Sequence, residues 1–172
     1  SEVERCWMEV FVRFDPRRGL GELFRPLPRD FPDFAFSAMA WKEPPAGQRI
    51  EIQPLYQRWL ASLAESWSEG SLLTIDYGGR PAEIYDRRPG GTLRAYFRHE
   101  RIEGPGVYQR FGQQDLTVDV NFEDLVNWGE ELDFQTVFEI SQREFLRRND
   151  EADDPMAAEG VGEAFRVLLQ RR

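Results

Sequence analysis

The sequence predicts an α/β protein that opens with an N-terminal β-hairpin, and three observations lead there. A helical pattern is followed by Gly70, the apolar run Ser71–Tyr77 and the pair Gly78-Gly79. Helix, apolar strand and glycine loop in that order are the local grammar of α/β folds. The stretch Cys6–Phe14 (CWMEVFVRF) alternates apolar and polar residues as a half-buried strand does. Finally, a helical pattern from Phe122 gives way to strand patterns at Gln135–Ile140 and Ala164–Leu169.

In chain order, Asp15–Gly19 (DPRRG) makes a turn and Glu22–Arg25 returns as the second strand of the hairpin. A strand so close to the start suggests upstream sequence. The proline-rich stretch 26–45 reads as an extended crossing, and Gln48–Ile52 as a short strand. In the helix Pro54–Trp67, Leu55, Trp59, Leu63 and Trp67 fall four apart and form the expected core stripe, flanked by Tyr56 and Leu60. Pro54 suits the first turn and Gly70 the stop.

Arg80–Gly91 reads as a polar loop, Thr92–Arg98 as a strand and Gly104–Gln114 as loop. Asn121 is placed to cap a helix over Phe122–Leu132, and Ser141 with Glu144 forms a Ser-x-x-Glu box opening another short helix. The acidic stretch Asp150–Glu159 is expected to be mobile.

The chain has 172 residues, 41% of them hydrophobic, and a net charge of −9. That charge disfavours a nucleic-acid partner, since phosphate binding draws on Lys and Arg. No apolar run reaches the roughly 20 residues of a spanning helix, so no membrane role is expected. No signal peptide is read, and a single cysteine, Cys6, fits a cytoplasmic setting. With His99 the only histidine, a Cys/His zinc site cannot be assembled, and no metal site is expected. A Ser-His-Asp hydrolase would have to use His99 as base, but no Gly-x-Ser-x-Gly elbow accompanies it.

Among the candidate site residues, Asp76 and Tyr77 stand at the end of an apolar strand, where α/β folds keep their ligand crevice. Asp76 could accept a hydrogen bond from a ligand, or simply cap the loop amides. His99 lies among Arg80, Arg87, Arg88, Arg94, Arg98 and Arg101, interleaved with Glu83, Asp86 and Glu100. Such a cluster can hold a carboxylate or phosphate, though a solvated loop is the plainer account. Asp115 and Asn121 are short polar groups among apolar ones, and capping is the simplest role for Asn121. Gly19-Leu20-Gly21 and Gly160-Val161-Gly162 lack the strand-to-helix context of a dinucleotide loop and read as turns.

Taken together, Leu72–Gly78, Gly91–Tyr96 with His99, Gln114–Thr117 and Val120–Phe122 resemble the MidA-type methyltransferases in order and spacing. Ser141–Leu146 is similar to that family's Thr-Gln-x-x-Phe-Leu helix start, and Gly162–Leu168 to its final strand. Trp7–Glu9 and Glu51–Pro54 also correspond. The resemblance covers nearly the whole chain. It departs at Phe111-Gly112, where Pro-Gly is usual, and at the short stretch between Asn149 and Gly160.

The resemblance implies an incomplete Rossmann-like methyltransferase fold with a mixed sheet, Ala164–Leu169 running antiparallel between Ser71–Tyr77 and Gln135–Ile140. Residues 1–172 would form one domain, the carboxyl-terminal part of a methyltransferase domain lacking the glycine-rich cofactor loop. It implies methyl transfer from S-adenosylmethionine to a protein acceptor, an arginine of a respiratory complex I subunit in mitochondrial relatives. The cofactor would be bound mainly by residues missing from this chain, which alone would bind it poorly. Asp76, Tyr77, His99, Asp115 and Asn121 are the candidate catalytic residues. A non-catalytic interaction module of the same fold is the rival reading. Two structural expectations follow: Leu73 and Ile75 are buried while Asp76 and Gly78 border a crevice, and the unpaired edge of Ser71–Tyr77 favours self-association.

Overall fold

The computed structural model describes residues 6–28, 44–158 and 160–172. The proline-rich crossing expected over 26–45 lies largely outside them. Along the chain run β1 (Met8–Asp15), β2 (Gly19–Pro26), α1 (Pro54–Ser66), β3 (Ser71–Gly79) and α2 (Pro81–Ile84). After these come β4 (Arg94–Phe97), β5 (Glu100–Ile102), β6 (Asp115–Thr117), β7 (Val120–Asn121) and α3 (Phe122–Glu131). The chain continues through β8 (Gln135–Ser141), α4 (Gln142–Arg148), α5 (Val161–Ala164) and β9 (Phe165–Arg171). It folds as two compact units, residues 1–50 with 88–118, and residues 51–87 with 119–172.

In the first unit, β1 and β2 pair antiparallel from Met8↔Pro26 to Asp15↔Gly19, the hairpin expected, but β1 is exposed on both faces among the described residues and not half-buried as its alternation suggests. The Asp15 carboxylate accepts the Arg17 and Arg18 amides, closing the turn with the side chain best suited to it. The remaining strands form a three-stranded sheet in the order β5-β4-β6. Only the β4 strand was legible in sequence; β5 and β6, three residues each, carry too little pattern. Glu22 holds Arg49 through two bonds of 2.6 Å and accepts the Tyr108 hydroxyl at 3.0 Å. The stretch Gln48–Ile52 is no strand: Gln48 and Arg49 instead bond to the Arg88 and Pro89 carbonyls.

The second unit is built on a mixed sheet of order β7-β3-β9-β8, with β9 antiparallel to both neighbours and β7 parallel to β3. This is the α/β arrangement expected. Helix α3 covers one face, where Leu125 and Trp128 are buried with Leu168 and Gln170. Burial of each large aliphatic side chain there is worth about 1.5–3 kcal/mol. Gly129 is forced by that packing, since a Cβ would stand 2.0 Å from Gln170 Nε2. On the opposite face, Phe145 of α4 lies against Phe138 of β8, ring centres 6.1 Å apart.

Three expectations fail here for physical reasons. The stripe of Leu55, Trp59, Leu63 and Trp67 with Tyr56 and Leu60 is only in part the core face of α1: Leu60 is buried, with Ala64 beside it, but Leu55 is 71% and Trp59 47% exposed. Both rows are apolar, and periodicity alone does not say which one meets the sheet. Leu73 and Ile75, expected in the core, are 47% and 44% exposed, because their face of β3 is left uncovered among the described residues. The polar loop after Gly79 contains α2, a single turn started by Pro81.

Candidate functional site

Of the five candidate residues, the second unit brings Asp76, Tyr77 and Asn121 to the carboxyl end of β3. Gly78 makes the junction. Its φ is +157°, and a Cβ there would fall 2.0 Å from the Val120 carbonyl oxygen. Glycine thus lets β7 run beside Gly78-Gly79, with Asn121 in register with Gly79. Asn121 is buried, and its Oδ1 accepts the Glu123 amide at 3.1 Å, the capping role read from sequence. Asp76 is exposed and accepts the amide of Tyr77, its neighbour on β3, at 2.7 Å. The Tyr77 ring stacks on Phe165 of β9, 3.9 Å between centres.

His99 and Asp115 belong to the first unit. His99 sits in the β4–β5 turn, exposed, with a positive φ of 67°. Asp115 is exposed on β6, in register with Tyr96.

The structure gives Arg80 and Glu83, read in sequence as part of the cluster around His99, partners at the end of β3 that the sequence did not single out. Arg80 binds Glu139 at 3.0 Å, and Arg166 reaches both Glu83 oxygens at 2.7 Å. Although burial acts to raise it, the Arg80 amide and the Arg166 guanidinium hold the Glu83 carboxyl below its ordinary range. Tyr56 of α1 places its hydroxyl 3.4 Å from Thr74 Oγ1. Its phenol is pushed up first by burial, with the Asp76 charge adding to that. Thr74 and Asp76 of β3 and Tyr56 of α1 therefore form a polar group on one face of the strand. Thr74 and Asp76 lie two apart on one strand face, a signal available in sequence; the approach of Tyr56 was not.

On the Thr74 face, this end of β3 can orient a cationic or hydrogen-bonding group against the Asp76 carboxylate, with Tyr56 nearby, while Tyr77 and Phe165 stack on the other face. Neither Gly-x-Gly pair offers an anion cradle. Gly19 and Gly21 lie within the β2 strand, and Gly160 opens a helix of only four residues. No described helix is long and apolar enough to cross a membrane.

Two solved structures from Burkholderia thailandensis share the fold. One, a protein bound to S-adenosyl-homocysteine, superimposes with a TM-score of 0.81 at 22% identity, matching 98% of this chain and 48% of that one. The other, the native structure of an uncharacterized protein of the same superfamily, gives 0.78 at 23% identity, over 98% and 50%. The chain thus spans about half the length of both. No curated protein matches it. A family model described as "Putative S-adenosyl-L-methionine-dependent methyltransferase" matches residues 2–140, and the chain belongs to that family.

Proposed function

We propose that this chain is the carboxyl-terminal part of a MidA-type methyltransferase, which transfers the methyl group of S-adenosylmethionine to a protein acceptor, an arginine side chain, in the cytoplasm. The observation that carries the reading is the exposed Asp76 carboxylate near the end of β3, on the same face as Thr74 and Tyr56. A guanidinium acceptor must be held in line with its methyl donor and relieved of a proton. A carboxylate on that face, with the Tyr56 phenol nearby, can orient it and draw that proton. S-adenosylmethionine would supply the electrophilic methyl group. The described residues lack a glycine loop for it, so in this reading it is bound mainly by residues outside this chain.

The reading is tested with the longer protein and tritiated S-adenosylmethionine. Label is expected on arginine of a protein acceptor, falling at least tenfold in Asp76→Ala while cofactor binding persists. Label confined to lysine, or none at all, would overturn it. The outer edge of β3, whose ladder partners among the described residues stand opposite Gly78-Gly79, together with exposed Leu73 and Ile75, favours a further element of the reading: self-association of the chain through this edge. Sedimentation at micromolar concentration reads it directly, a clean monomer being the contrary result. That same edge would serve the rival reading, a non-catalytic interaction module. Absence of S-adenosylmethionine binding by the longer protein would favour the rival.

A further inference from the structure

The β4–β5 hairpin turns through Arg98 and His99, both with positive φ (52° and 67°). A two-residue turn of this hand suits Asn-Gly, because side chains crowd the backbone in the left-handed region. Two non-glycine residues held there store strain, which recurs where a side chain is wanted at a particular spot. What this turn presents is cationic. The Arg98 guanidinium carbon stands 5.2 Å from the centre of the Phe97 ring, and that of Arg110 stands 4.3 Å from it. The two charges therefore lie within about 10 Å of each other, one Debye length at 0.1 M salt.

Among the described residues, neither guanidinium pairs with a carboxylate. The nearby Arg101 does, with Glu103. Glu100 sits opposite Phe97 in the ladder and bridges to neither. In a chain with 31 acidic and 22 basic residues, two unpaired cations on one ring are out of keeping with the surface around them. Phe111, next to Arg110, is 87% exposed.

We propose that this hairpin tip docks a carboxylate-rich peptide segment of another protein, with Arg98 and Arg110 as the anion-binding pair and Phe111 as the apolar contact. Guanidinium stacked on an aromatic ring keeps its N–H edge available for a bidentate carboxylate. A peptide fits better than a nucleic acid, because a net charge of −9 repels a polyanion that must place many phosphates on the protein. It fits better than a free anion, because a small ion leaves Phe111 uncovered. The site does not depend on methyl transfer.

Fluorescence anisotropy with a labelled eight-residue peptide alternating Glu and Leu tests the site. Saturable binding is expected, weakened at least tenfold in Arg98→Gln/Arg110→Gln and unchanged in Arg101→Gln, with melting curves confirming that each variant is folded. In Arg98→Asn/His99→Gly the turn receives its preferred residues, so the melting temperature should rise while peptide affinity falls. No binding, equal binding by Arg98→Gln/Arg110→Gln, or tighter binding of inorganic phosphate or a single-stranded oligonucleotide would each overturn the proposal.

Discussion

Val167 and Ile75 face each other across the β3–β9 ladder, yet Val167 is 0% exposed and Ile75 44%. Both are β-branched, and both sit in apolar runs that read as core strands. Their neighbours differ. Strand β9 lies between β3 and β8, with helices on both sides of it, whereas among the described residues β3 is laddered beyond its outer edge to just two residues of β7. Burial in a sheet is thus a property of a strand's place as much as of its composition. An apolar run says that a strand can be covered, not that this chain covers it.

The sharpest way to break the comparison is to truncate one residue on each strand. Leu168→Ala on β9 should cost about 2–4 kcal/mol in chemical denaturation, because a closed site is left with a cavity. Leu73→Ala should cost under about 1 kcal/mol, as for other partly exposed positions. Equal losses would mean that the outer face of β3 is covered in solution. Next in size is Gly78→Ala, expected to cost about 2 kcal/mol because the added methyl collides with the Val120 carbonyl. Faster amide exchange at Val120 and Asn121 would locate the damage.

Smaller effects sharpen the picture at the ends of the elements. Asn121→Ala removes the cap of α3 and should cost about 1 kcal/mol, read by the same denaturation. The Glu22 carboxyl, held below its ordinary range chiefly by its bonds to Arg49, stabilises the first unit above that range. The contribution is lost as pH falls through its lowered value, and an acid titration of stability should be shallower in Glu22→Gln. The Arg49 side chain is 37% exposed, so solvent screening keeps this effect the smallest of the set.

Much of the fold was legible because its signals are local. The alternation of Cys6–Phe14, the apolar run at Ser71, and the caps at Asn121 and Ser141 each act over a few residues. The Ser141 hydroxyl does accept the Glu144 amide, at 3.2 Å. What escaped depends on distance along the chain. Arg80 and Glu139 are 59 residues apart, Glu83 and Arg166 are 83 apart, and no spacing rule joins them. The candidate residues were legible one by one, but not that His99 and Asp115 would fall in a different unit from Asp76. Nor could a helix with two apolar rows reveal that Tyr56, Leu60 and Ala64 turn inward while Leu55 does not.

The packing of Gly129 against Gln170 has a consequence for how this sequence can change over time. The carboxamide is almost wholly buried and its Nε2 points toward the Leu125 carbonyl at 3.5 Å, so it has little room to swing aside. Enlarging Gly129 first forces a collision, whereas shortening Gln170 first opens a void that a methyl at 129 can then fill. Two substitutions that are compatible together are reachable in only one order. The drift of α3 over β9 is therefore directional, and chains descended from this one should carry a larger residue at 129 only where 170 has already become small.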